Sequence, residues 1–249
     1  MDDALDQLTK TFSTYDKTAD DTVTKINSSL IAVGAVLLGV LFLMEMMSWY
    51  RYLKAQGGEI TWKLFLEAAI KYVIAYFLVY QSGAILDAIL WFTNGITKTL
   101  GANLEGNVFE GVELTKGNWI VRAVIDILQK LVGAATILSV RVLVLLRYVE
   151  LYLGKAIAPI IVAFFMNDST RSIATNFLKR FGAVALQGAI IVILMLIFQA
   201  FNVTDTLNME NSDWLEDFAA GFSYIGKCAV FMILLFGSQR TAKSLLQAN

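Results

Sequence analysis

Glu45, Glu67, Lys71, Arg141 and Lys227 each stand inside text that is otherwise apolar. Such residues pair, or face a bundle interior or a water-filled lumen, because each costs roughly 2.5–3.5 kcal/mol at the centre of a membrane helix on insertion scales. Glu67 and Lys71 are four apart, the spacing at which two side chains share a helix face and pair along it. Arg141 lies between "AATILSV" and "VLVLL" with no acid one turn away. Its partner is therefore expected on another helix or another subunit, with Glu45 a candidate. Lys227 is also isolated, with Glu216 and Asp217 about three turns back along a helix. Catalysis is not expected. The chain has no histidine to act as base, no phosphate-cradling glycine loop and no cluster spaced for a metal. Gly101, Gly106, Gly111 and Gly117 fall in one loop without the strand–loop–helix setting of a nucleotide site. No cofactor is expected. Cys228, the single cysteine, excludes a disulfide within the chain and reads as a small core residue.

The elements that must position these charges are membrane helices. The 249 residues are 57% hydrophobic and 16% charged, with a mean hydropathy of +0.62. That is too much apolar surface for one water-soluble core of this size. Phe181–Thr204 runs 24 residues without a formal charge, where about 20 suffice to cross a bilayer. Further candidate spans are Ile26–Trp49, Trp62–Tyr80, the long stretch Trp119–Met166 and Phe218–Phe236. Gly83–Ile96 is short and carries Asp87, so it reads as re-entrant, interfacial or tilted. The expected fold is an all-α integral membrane protein, a bundle of about 5–7 transmembrane or re-entrant helices. Residues 1–25 form a separate polar segment; Leu5, Leu8, Phe12 and Tyr15 give it a weak amphipathic stripe that suits a membrane surface or a partner. Residues 26–249 form a single polytopic domain. The opening "MDDALDQLTK" is acidic where a signal peptide is basic, so insertion is expected to rely on the spans themselves.

Lysine and arginine bias orients the chain. Residues 50–63 carry Arg51, Lys54 and Lys63, and the tail carries Arg240 and Lys243; both read as cytoplasmic. Segment 168–181 reads as a cytoplasmic amphipathic helix whose Arg171, Lys179 and Arg180 could dock a partner or lipid headgroups. The acidic loop 202–217 reads as external, and loop 97–118 is compatible with that side. The N-terminus is then external and the C-terminus cytoplasmic, so an odd number of crossings, one long or three short, lies between 118 and 167. Small-residue pairs such as Gly154/Ala158 and Ala185/Ala189 allow close helix approach. Together with the charged spans they favour an oligomer.

Pro159 is the only proline. It has no N–H for the carbonyl of Lys155, four residues back, and that carbonyl must find another donor in a protein-packed interior. Pro159 is accordingly expected to be a structural elbow.

One stretch, "RYVELYLGKAIAPIIVAFFMNDSTRSIATNFLKRFGAVALQGAIIVILMLIF" (Arg147–Phe198), resembles the TrbL-type polytopic inner-membrane channel subunit of type IV secretion and conjugation systems. The likeness rests on a tyrosine- and leucine-rich helix, the Ala158–Pro159 step, the polar turn Ser169–Ser172, and "NFLKRFGAVALQG" opening the next span. The resemblance implies a non-enzymatic channel or scaffold subunit forming a homo-oligomeric platform in the bacterial cytoplasmic membrane. Its implied partners are copies of itself, other membrane subunits, transport ATPases and phospholipids, with DNA or protein as cargo. A secondary transporter with a broken helix at Pro159, or a holin- or toxin-like pore former, are the alternatives.

Overall fold

The structure, a computed structural model, describes residues 2–56, 62–104, 119–200 and 213–247. All regular elements among them are helical: α1 (Asp2–Leu8), α2 (Phe12–Tyr15), α3 (Lys17–Gln56), α4 (Trp62–Tyr80), α5 (Ser82–Gly101), α6 (Trp119–Ala163), a 3₁₀ turn (Phe164–Met166), α7 (Arg171–Ala200) and α8 (Asp213–Leu245). Four stretches among these residues are long and apolar enough to cross a membrane: Lys17–Ala55, Trp119–Met166, Arg171–Ala200 and Gly221–Leu245. A fifth candidate is the pair Phe65–Tyr80 and Ser82–Gly101, bent by 69° across Gln81.

Local chemistry sets the breaks. Thr11 caps α2 through a reciprocal pair with Thr14, its backbone N–H donating to Thr14 Oγ1 at 2.8 Å. Asp16 Oδ1 accepts from the backbone N–H of Ala19 at 3.0 Å, a carboxylate at the start of α3 where four N–H groups lack helical partners. After the 3₁₀ turn, Asn167 is extended and its side-chain oxygen accepts from the N–H of Ser169 at 3.0 Å and from the Ser169 hydroxyl. Thr170 Oγ1 donates to Phe164 O at 3.1 Å, closing the turn from which α7 departs.

Several boundaries differ from the sequence expectation. The first long helix begins at Lys17, not near residue 26, because its polar first turns are capped and continue without a breaker. The short third piece is a full helix of 20 residues, since "TKTLG" extends it past Ile96. One continuous helix, Trp119–Ala163, fills the stretch for which one long or three short crossings are expected. No separate surface helix occupies 168–181: α7 runs unbroken from Arg171 to Ala200, with Phe181 buried in its middle. The glycine that follows, Gly182, is too weak a breaker to interrupt a ladder held by packing on both sides. Loop 97–118 starts as helix up to Gly101, and its residues 105–118 lie outside the described ones. Loop 202–217 ends earlier than expected, with α8 starting at Asp213; residues 201–212 lie outside the described ones.

The chain divides into two compact units. The first comprises Met1–Thr9, Asn94–Arg147 and Leu186–Ala242. Its core includes Ile125, Val140, Val144, Ile191, Met195 and Phe231, all buried. The second comprises Lys10–Thr93, Tyr148–Ala185 and Lys243–Asn249. Leu38 and Leu41 of α3 pack there on Ala75 and Val79 of α4 and on Val162 and Met166.

Candidate functional site

In the second unit, Tyr148, Tyr152 and Lys155 recur at i, i+4 and i+7 along α6 and so line one face of it. That face receives the segment leading into α3. Tyr148 Oη donates to Lys10 O at 2.5 Å, and Tyr152 Oη to Phe12 O at 2.7 Å and Asp16 O at 3.2 Å. Tyr15 stacks on Tyr148 with ring centroids 3.7 Å apart, and Phe12 is buried beside Tyr152. Burial pushes the Tyr15 phenol above its ordinary pKa. In the first unit Leu8 is fully buried. The amphipathic stripe of residues 1–25 therefore packs on the chain's own helices and does not present Leu8 or Phe12 to a membrane surface.

Lys155 is the centre of the cluster. Only 4% exposed, it reaches Asp20 Oδ1 at 2.9 Å and Asp87 Oδ1 at 2.8 Å, with Nζ 4.7 Å above the Phe12 ring. Three elements, α3, α5 and α6, thus share one buried cation. A cavity of about 380 Å³ opens beside Asp20 and Asp87, with Phe12, Leu90 and Trp91 in its wall.

The backbone oxygen of the same lysine answers the question raised by Pro159. The proline sits inside α6, four residues before its end, and Asn27 Nδ2 donates to Lys155 O at 2.6 Å in a buried setting. Two turns further along α3, a Cβ added at Gly34 would lie 2.6 Å from Pro159 O. Asn27 and Gly34 therefore form the face of α3 that accepts the proline. Asn27→Leu is expected to cost about 1–2 kcal/mol, the usual penalty for an orphaned buried acceptor. In a Pro159→Ala background the cost should shrink, since the substituted alanine supplies the helical N–H. Double-mutant unfolding in detergent measures that coupling; strictly additive effects would count against the hydrogen bond as the cause.

A second ionic cluster joins α3, α4 and the polar turn. Glu45, 3% exposed, accepts from the backbone N–H of Asp168 at 3.4 Å and lies 3.8 Å from Lys71 Nζ. Lys71 also pairs with Asp168 at 3.1 Å and sits 5.1 Å from the Trp49 ring centre. The expected Glu67–Lys71 pair is thus replaced: Glu67 is exposed, and tertiary partners pull Lys71 toward α3. Glu45 lies beside Lys71. Arg171 stands 3.9 Å from Asp168 and stacks over Phe165 at 4.3 Å; Lys179 is exposed; Arg180 pairs with Glu150 at 3.0 Å.

In the first unit, Arg147 is 1% exposed and donates to Leu8 O at 3.0 Å, with Gly188 directly against its guanidinium. Lys227 Nζ lies 4.5 Å above the Phe198 ring, a cation–π contact. Arg141 is exposed beside Leu138 and Leu145 on α6. Cys228 is fully buried. Among the described residues, no group of three or more His, Cys, Asp or Glu side chains converges as metal ligands would.

Sequence reasoning singles out Glu45, Lys71 and Pro159 but misses Asp20, Asn27, Asp87, Tyr152 and Lys155 as a connected set in the second unit, and Arg147 in the first. The one available signal is the Tyr-Tyr-Lys periodicity of α6, which marks a polar stripe on an apolar helix. Comparison with protein-family models, with curated proteins and with solved structures gives no match to this chain.

Proposed function

We propose that this chain is a non-enzymatic channel or scaffold subunit of a type IV secretion machine, working as a homo-oligomeric platform in the bacterial cytoplasmic membrane. The observation that carries the reading is the order of features through Arg147–Phe198: a tyrosine-rich helix, the Ala158–Pro159 step, a tight polar turn and a long apolar helix. The charges support a scaffold. Lys155 and Glu45 are held by neighbouring helices of the chain, a use that fixes helix register more than it moves solutes. A transporter built on a broken helix needs a free carbonyl at the break, and here Asn27 occupies Lys155 O.

On this reading the N-terminus is external, the C-terminus cytoplasmic, and the partners are transport ATPases and other membrane subunits, with DNA or protein as cargo. Deleting the gene should abolish mating or export while leaving small-solute uptake intact. Purified in detergent, the protein should be a stable oligomer; a strict monomer over a wide concentration range, together with normal transfer in the deletion strain, would refute the proposal.

A further inference from the structure

We propose that the cavity beside Asp20 and Asp87 binds a small organic monocation, a guanidinium carried on a short apolar stem. The cavity measures about 380 Å³ and is built by the second unit alone. Phe12, Ala88, Leu90 and Trp91 give it apolar and aromatic walls around the two carboxylates. A volume near the low end of the usual ligand-pocket range suits a small molecule or a single side chain.

The charge balance names the ligand. Asp20 and Asp87 are the two charged residues in the wall, and each places its Oδ1 on the same buried ammonium of Lys155, at 2.9 and 2.8 Å. Among the described residues no other cation pairs with either carboxylate, so two negative charges meet one positive. A carboxylate offers about four acceptor sites, and one ammonium does not saturate two of them. The excess is a single negative charge, and the half-exposed Asp87 presents it at the cavity. A divalent metal fits poorly. Among the described residues no three acidic, histidine or cysteine groups converge, and Lys155 already stands between the two carboxylates. The walls favour an organic cation: the exposed Trp91 supplies a ring on which a planar guanidinium can stack. Phe12 makes the same kind of contact within the chain, with the Lys155 ammonium 4.7 Å from its ring centre. A guanidinium is preferred to an ammonium because it is planar, weakly hydrated and forks onto a carboxylate.

The site does not depend on the machine in which the chain works. The full chain, solubilised in a neutral detergent, is titrated calorimetrically with butylguanidinium, butylammonium and magnesium. Butylguanidinium should bind saturably, one per chain, and more tightly than butylammonium. Asp87→Asn removes the excess charge while Asp20 still holds Lys155. It should weaken binding roughly tenfold, the order expected for one charge-assisted hydrogen bond. Trp91→Ala should weaken it about two- to fivefold, as for an exposed cation–π contact. Asp21→Asn, at an exposed carboxylate outside the cavity, should change nothing. Helical circular dichroism equal to wild type shows that each variant is folded, and the half-exposed position of Asp87 keeps that variant decisive. N-acetylarginine amide separates two sources of the same chemistry. Binding equal to butylguanidinium supports an arginine side chain of a partner protein, and its exclusion supports a free guanidinium compound. Lack of saturable binding, affinity unchanged in Asp87→Asn, butylammonium binding as tightly, or displacement by equimolar magnesium overturns the site.

Discussion

Lys155→Met is expected to lower the unfolding free energy by about 3 kcal/mol, the lower end of the range for removing one partner of a buried ion pair. The lower end applies because the two stranded carboxylates differ. The Asp20 side chain is 17% exposed and would stay desolvated without a counter-charge, whereas the Asp87 side chain is 49% exposed and can turn to water. Asp87→Asn should therefore cost under about 1 kcal/mol, since a half-exposed charge contributes little and Asp20 still holds the lysine. Neutralising all three in Lys155→Met/Asp20→Asn/Asp87→Asn should recover most of the loss, because no uncompensated charge remains. Denaturant titration of the detergent-solubilised protein reads each value. If Lys155→Met proves no worse than Asp87→Asn, the lysine is not the buried keystone described above.

The same substitution at two glycines of α3 should have opposite signs. At Gly34 a new Cβ would sit 2.6 Å from Pro159 O and 3.1 Å from Val79 Cγ1. The first clash is with main chain, which no rotamer change relieves, so Gly34→Ala is expected to cost about 2–3 kcal/mol as overpacking. At Gly39 nothing lies within 4 Å of the added carbon. Gly39→Ala should stabilise by up to about 0.5–1 kcal/mol through reduced backbone entropy in the unfolded chain. Thermal melts of the two variants beside wild type test this directly. A neutral Gly34→Ala would mean that α3 and the Pro159 turn do not touch as described.

Particular residues show why some features are legible in the sequence and others not. Pro159 announces an orphaned carbonyl through its own covalent structure, so the need for a donor at Lys155 O follows from a few residues of text. That the donor is Asn27 does not follow, for it lies 128 residues away on another helix. Glu67 and Lys71 illustrate the reverse error. Their spacing suits a pair worth about 0.2–0.5 kcal/mol on an isolated helix, and that is less than the gain from covering a carboxylate as buried as Glu45. The local rule loses to a tertiary one of larger energy. The segment 168–181 misleads for a similar reason. Its surface-like pattern of charges is genuine, as exposed Lys179 and Arg180 attest, but the opposite side buries Ala174 and Phe181 within a continuous helix.

Composition and run length suffice to give the described residues several helices long and apolar enough to cross a membrane, because transfer of apolar side chains depends on residue type and number alone. Capping residues such as Thr11 and Asp16 likewise act over three or four positions and are readable in place. The destination of each charge is another matter. Whether Lys155 finds Asp20, whether Glu45 finds Lys71 and whether Arg180 shares Glu150 with Lys243 depends on which helix faces are brought together. Pairing energy falls steeply with distance and burial, and both are properties of the packed chain.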